Sequence, residues 1–236
     1  MTRGRLFLIP AWLSEDSAPE DVLPAAALAR IRALSLFIVE SPKSARKFLA
    51  ACGHPRELRE IAMLELDEHT SAREIPRLLE PIAQGADAGL LSEAGLPGVA
   101  DPGAALVAAA HAAGIGVVPL SGPSSIVLAL AASGLEGQRF RFVGYLPAEA
   151  SARRDAIAAL EKHSARHRET QIFIETPYRN DALLHTLAQV CAPRTRLAVA
   201  AELTSAREWI RMAPIADWRA RPATIGKRPA IFLLLA

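Results

Sequence analysis

Four compact apolar runs separated by helix-forming segments constrain this chain most. They are RLFLI at 5–9, LFIV at 36–39, AGLLS at 88–92 and IGVVPL at 115–120. Each is four to six residues long, nearly continuous in apolar character and bounded by turn residues. That is the pattern of strands buried on both faces, which parallel sheets produce. Helical patterns with readable starts lie between them. Ser17 precedes Pro19, Glu20 and Asp21, and Ser41 precedes Pro42. Ser71-x-x-Glu74 has the spacing of a capping box, and Asp101 precedes Pro102 and an alanine-rich stretch that Gly114 stops. A short polar side chain at the N-cap accepts from an otherwise unpaired backbone N–H, and proline suits the first turn. Strand and helix alternation of this kind predicts an N-terminal, mostly parallel sheet with helices on both faces.

The texture changes after residues 133–138. RFRFVGY at 139–145 alternates polar or small residues with apolar ones, as a half-exposed strand does. A polar helix is predicted over 151–167, a strand over 171–175 and a helix over 180–191. Further strands are expected near 197–201, 209–212 and 230–235. Several follow one another without a crossover helix, so the second half reads as a mixed α/β sheet with antiparallel parts. The domain division is placed at 1–122 and 123–236.

Composition removes several classes of function. With 51% hydrophobic and 22% charged residues, the chain has apolar surface enough to fold. A net charge of +2 does not by itself argue for nucleic acid, although a local basic patch can form at any total. Cys52 and Cys191 have no metal-like spacing, and the six histidines form no ligand pair, so no metal is expected. The apolar run at residues 1–10 lacks a cleavage-like small-residue site, and no stretch approaches a membrane span. A cytoplasmic protein is the expectation.

The stretch LSEAGLPGVADPG at 91–103 sets three glycines and two prolines directly after a buried strand. LSGPSS at 120–125 follows the next strand in the same way. Glycine lets backbone approach a ligand closely, and proline fixes loop shape. In a parallel sheet both loops leave the carboxyl edge, where open α/β sheets bind ligands. Neither matches a dinucleotide or Walker A pattern, which disfavours a nucleotide-dependent oxidoreductase.

SEAGLPGVADPG, VVPLSGPSSIVLALAASGL, FVGYLP, FIETPYR and AELT resemble the tetrapyrrole methylase superfamily, the class III S-adenosylmethionine-dependent methyltransferases. Within it the likeness is to the bacterial small-subunit ribosomal RNA cytidine 2′-O-methyltransferase branch. The resemblance implies a two-domain fold, S-adenosyl-L-methionine folded between the domains, and a homodimer. It places Gly95, Leu96, Pro97, Val99, Ser124, Ser125 and Ile126 on the cofactor. From the second domain it adds Glu175, Thr176, Ala200, Ala201, Ala230 and Ile231. Two stretches depart from the branch: IPAWLSED at 9–16 replaces a glycine-bearing loop, and VESPKSA at 39–45 replaces AEDTRHT. The acceptor is therefore left between RNA and a small metabolite, and a non-catalytic cofactor-binding module is the alternative. Glu40 is the candidate general base, with Glu93 and Asp101 as rivals. Lys43, Arg46, Tyr178 and Arg179 are the candidate substrate contacts.

Overall fold

The computed structural model describes residues 3–67 and 69–236, so Met1 and Thr2 of the opening apolar run lie outside the described residues. Its contacts divide the chain into two compact units, Met1–Ser124 and Ser125–Ala236.

The first unit contains β1 (Arg5–Ile9), α1 (Pro19–Val22), α2 (Ala25–Ala33), β2 (Leu36–Val39), α3 (Pro42–Ala51) and β3 (Ala62–Glu65). It continues with α4 (Ile75–Ala83), β4 (Ala88–Leu91), α5 (Ala104–Ala112) and β5 (Gly116–Pro119). The five strands form one sheet in the order β3-β2-β4-β1-β5, and every pairing is parallel. β2 and β4 are buried along their whole length, as their unbroken apolar runs require. One face packs Phe7, Phe37 and Val39 against Ile31 of α2 and Phe48 of α3. The other packs Leu6, Ile38 and Leu90 against Leu79 and Ile82 of α4 and Leu106 of α5. Strand β3 (AMLE) is an edge strand with exposed ends, and it is not among the expected strands. Pro119 is tolerated in β5 because β5 closes the other edge.

Three helix starts differ in detail from expectation. Ala18, not Ser17, holds the N-cap position of α1, and no side chain caps it. Asp101 does not cap α5. Gly103 stands there with φ 134°, so the chain turns two residues later and Asp101 lies outside capping reach. The Ser71–Glu74 pair forms on the turn ahead of α4. The Glu74 carboxylate accepts from Ser71 N at 2.9 Å and from Ser71 Oγ at 2.7 Å, and Glu74 itself is the N-cap residue. Ser41 caps α3 as expected, accepting from Ser44 N at 3.4 Å.

The second unit runs α6 (Ser125–Ser133), β6 (Phe140–Tyr145), α7 (Ala150–His167), β7 (Thr170–Ile174) and α8 (Asn180–Val190). It ends with β8 (Arg196–Ala201), β9 (Trp209–Pro214), α9 (Ile215–Ala220) and β10 (Ala230–Leu235). Sheet order is β6-β7-β10-β8-β9, with β6 and β7 parallel and the remaining pairs antiparallel. The wholly apolar AIFLLL of β10 is central and buried throughout. Phe232 stacks on Phe173 at 5.9 Å, and Ile157 of α7 and Leu183 of α8 join them in the core. Helix α6 packs on β8, β9 and β10. Among the described residues no helix is long and apolar enough to cross a membrane.

Candidate functional site

Parallel pairing sets three strand ends side by side in the first unit. Ile9 and Val39 are both in register with Leu91, so residues 10, 40 and 92 leave the same carboxyl edge. Glu40 N donates to Leu91 O at 3.3 Å, and the Glu40 carboxylate accepts from Glu93 N at 3.3 Å. The Glu93 carboxylate accepts from Ser44 Oγ at 3.0 Å. Released from the helix start, Asp101 turns toward these two carboxylates and the buried Ser92. Burial pushes the Asp101 carboxyl up to about 6; the Ser92 hydroxyl opposes this, and Glu40 and Glu93 add to it. Ser92 Oγ itself is buried and makes no hydrogen bond of standard geometry. A partly buried carboxyl raised toward neutral pH, with two further carboxyl groups beside it, is the environment that suits a proton acceptor.

The loop above this cluster has an unusual backbone. Gly95, Gly98, Ala100 and Gly103 all have positive φ, at 70°, 78°, 68° and 134°. Ala100 adopts this conformation at a cost of about 1–2 kcal/mol, and such turns present successive amides toward a concavity. Gly95 O accepts from Ala11 N at 2.8 Å, which ties the loop to the segment after β1. Gly95 and Pro97 are buried, Leu96 is half-buried and Val99 is exposed. At Gly122 in the neighbouring loop a Cβ would stand 2.3 Å from Pro10 Cγ, so that loop accepts only glycine without rearrangement. Ser124 closes the first unit, and Ser125 and Ile126 open α6. Lys43 and Arg46 are exposed on α3, whereas Lys47 of the same helix pairs with Glu15.

In the second unit, the loop after β7 carries a buried ion pair. The Glu175 side chain has no exposure, and its Oε1 accepts from Thr176 N at 2.7 Å and from Arg179 Nε and Nη2 at 2.9 and 2.6 Å. Its Oε2 is buried with no partner. Asn180 Nδ2 donates to Gly226 O and Arg228 O at 3.0 and 2.7 Å, while its Oδ1 is also buried and unpartnered. Two buried acceptors without donors are costly unless a ligand or water supplies the donor. Arg179 is thus engaged by Glu175, with its guanidinium 5.6 Å from the centre of the exposed Tyr178 ring. Ala200 pairs with Ile231 and Ala201 with Ala230, and all four are buried. The side chains of Ala201 and Ala230 point into the core.

Sequence reasoning did not single out Ser92 or Asn180. The signal was present in each case: a serine at the end of a buried strand before a glutamate, and an asparagine directly after FIETPYR. Cys52 and Cys191 are buried free thiols, and burial pushes both up to about 12, which makes them inert as nucleophiles. No group of three or more His, Cys, Asp or Glu among the described residues is arranged to hold a metal ion.

Comparison with known proteins gives a consistent set of likenesses. The family model of the tetrapyrrole (corrin/porphyrin) methylases matches residues 14–218. The chain is similar to the ribosomal RNA small subunit methyltransferase I of Xylella fastidiosa (strain Temecula1), 37% identical over 180 residues, covering 76% of this chain and 63% of that protein. It is 33% identical over 223 residues to the protein of the same name from Pseudomonas aeruginosa, covering 92% of this chain and 74% of the relative. The chain therefore spans between about three fifths and three quarters of the length of these two relatives. Among solved structures it is similar to the methyltransferase CobJ, with a TM-score of 0.61 and 21% identity, covering 98% of this chain and 93% of that one.

Proposed function

The chain belongs to the tetrapyrrole (corrin/porphyrin) methylase family, and on that footing we propose that it is an S-adenosylmethionine-dependent methyltransferase acting on a hydroxyl of small-subunit ribosomal RNA. The observation that carries the reading is the carboxyl edge of the first unit's sheet. There a positive-φ glycine loop stands over Glu40, Glu93 and Asp101, and Asp101 is raised to about 6. The RNA acceptor is supported by the relatives named as ribosomal RNA small subunit methyltransferases. Action in the cytoplasm, where ribosomal subunits are found, belongs to the same proposal.

The residues present fit the cofactor. The loop from Gly95 to Val99 offers backbone amides and carbonyls with the apolar walls of Leu96 and Pro97, and Ser124, Ser125 and Ile126 add hydroxyls and an aliphatic face. In the second unit, Glu175 and Asn180 present buried acceptors that match an amine or hydroxyl donor, beside Thr176. Ala200 and Ile231 provide small apolar surface, while Ala201 and Ala230 contribute through the backbone. When bound, S-adenosylmethionine supplies an electrophilic methyl group on a sulfonium sulfur. The chain's own task is to hold the acceptor oxygen in line with that group and to take its proton. We assign proton acceptance to the Glu40–Glu93–Asp101 cluster. Glu40 fixes the Glu93 backbone and keeps negative charge near Asp101, whose Oδ receives the proton. We assign the exposed Lys43 and Arg46 of α3 to substrate phosphates and the exposed Tyr178 to a base. Arg179 positions Glu175.

Calorimetric titration with S-adenosylmethionine and its demethylated product, together with methyl-label transfer to small ribosomal subunits, tests the reading. Saturable binding and label in the RNA are expected. A second reading, a cofactor-binding module without turnover, is favoured by one observation: Leu13 Cδ2 stands 3.5 Å from the Cβ position of Gly95, in the segment where the branch carries a glycine-bearing loop. Tight binding with no label in any acceptor would establish that reading instead.

Homodimer formation is part of the proposal. Helix α6 is apolar on all sides, and its Val127 and Leu128 are 55% and 37% exposed, with Ala131 and Ala132 beside them. An apolar helix face of this kind is normally covered. Sedimentation velocity across a concentration series should give twice the monomer mass. Replacing Val127 and Leu128 by lysine should return the monomer.

A further inference from the structure

The end of the second unit's sheet remote from Glu175 carries charge that the proposed chemistry does not use. Strands β6, β7 and β8 begin at this end, and β9 and β10 finish there. Arg139 precedes β6, Arg168 closes α7 and Arg196 opens β8, and all three line one cavity of about 550 Å³. All three side chains are exposed, and none makes a hydrogen bond or ion pair within the described residues. The acidic side chain at the cavity, Glu136, already accepts from Gln138 N at 2.8 Å.

Unpaired guanidinium groups facing one cavity repel each other until an anion joins them. Their planar donor forks match phosphate oxygens two at a time. Arg168 adds a second, independent sign. It closes α7 with φ 51° and ψ 52°, a left-handed conformation in which glycine or asparagine is favoured and a Cβ crowds the backbone. An arginine kept in a strained position points to use of its side chain. Beside Arg139, Phe140 on the edge strand is 43% exposed and offers a flat face on which a base can stack.

We propose that the Arg139–Arg168–Arg196 cavity binds the phosphodiester backbone of single-stranded RNA, with Phe140 stacking on a base. The cavity lies about 15–20 Å, one strand length, from the Glu175 end of the same sheet, so it is separate from this unit's proposed cofactor contacts. This inference rests on the reading of RNA as the methyl acceptor.

The test uses the full chain and a fluorescently labelled single-stranded oligonucleotide of small-subunit ribosomal RNA sequence, followed by anisotropy over a salt series. For the Arg139→Ala, Arg168→Ala, Arg196→Ala triple variant the affinity is expected to fall at least about tenfold at 0.1 M salt. The slope of log affinity against log salt should shrink by about 2, at about 0.7 for each phosphate that is no longer neutralised. Cofactor titration should be unchanged. Arg168→Gly separates recognition from folding: it should weaken RNA binding while raising Tm by about 2–4 °C, because the strain is relieved. An unchanged affinity and slope in the triple variant overturns the site and leaves the RNA reading standing. A wild-type chain that binds cofactor but no RNA overturns both. Displacement of the RNA by poly-glutamate as effectively as by unlabelled RNA would make the cavity a general polyanion or acidic-protein site and overturn the assignment.

Discussion

Asp101→Asn is expected to lower methyl transfer by about 10²–10⁴-fold and to make the folded chain more stable at pH 8. The two effects have one cause. Burial, with Glu40 and Glu93 nearby, raises the Asp101 carboxyl to about 6 from an ordinary 3.8. For an acid whose folded value lies above its unfolded value, the folded state holds the proton more tightly, so ionisation opposes folding. The penalty is absent below about pH 3.8, grows between there and pH 6 and is fully present above pH 6. The displacement corresponds to at most about 3 kcal/mol, and partial exposure reduces it to about 1–2 kcal/mol. Asparagine removes the charge and keeps the shape, so denaturant midpoints should rise at pH 8 and not at pH 4. In the wild type, the transfer rate should climb through pH 6, and the residual rate of the variant should lack that limb. A variant equally stabilised at both pH values, or retaining the full rate, would show that the carboxyl neither ionises nor accepts the proton as described.

Glu175→Ala carries the other large effect. The carboxylate is fully buried and holds Arg179, which is itself only 24% exposed at its side chain. Removing one member of a buried pair leaves the other charge uncompensated, and about 3 kcal/mol of stability should be lost. Urea denaturation reads that loss, and cofactor titration should show weakened binding because the unpartnered Oε2 goes with the side chain. The Glu175→Ala, Arg179→Ala double variant should recover part of the stability but none of the binding. That split distinguishes an ion pair that braces the loop from an acceptor that meets a ligand. A single variant within about 0.5 kcal/mol of wild type would mean that Arg179 is adequately solvated without its partner.

The buried strands were legible because hydrophobic continuity is a local property: RLFLI, LFIV and AIFLLL became β1, β2 and β10 with the expected bounds. The AMLE of β3 was not, since an edge strand with exposed ends lacks that continuity and is held by pairing with Leu36–Val39. Ser41 was readable as a cap because proline follows it at once. Asp101 has the same preface, yet Gly103 takes the turn, and only the packing of Leu90 against Gly103 shows why. The positions of Gly95 and Glu40 were found from motifs. Which carboxyl of the cluster is buried depends on three strand ends meeting, and no window of sequence contains that. The left-handed Arg168 is equally silent in the sequence, where it is one basic residue among several at the end of a polar helix.

Glu40 and Glu93 stand 53 positions apart along the chain and meet only because Val39 lies opposite Leu91. The acid cluster has no existence in the separate strands, and a slip of one residue in that pairing would send Glu40 to the opposite face of the sheet. Assembly of the acid cluster and closure of the first unit's sheet are therefore a single cooperative event: a nascent chain still lacking β4 has neither, and a melted one loses both together.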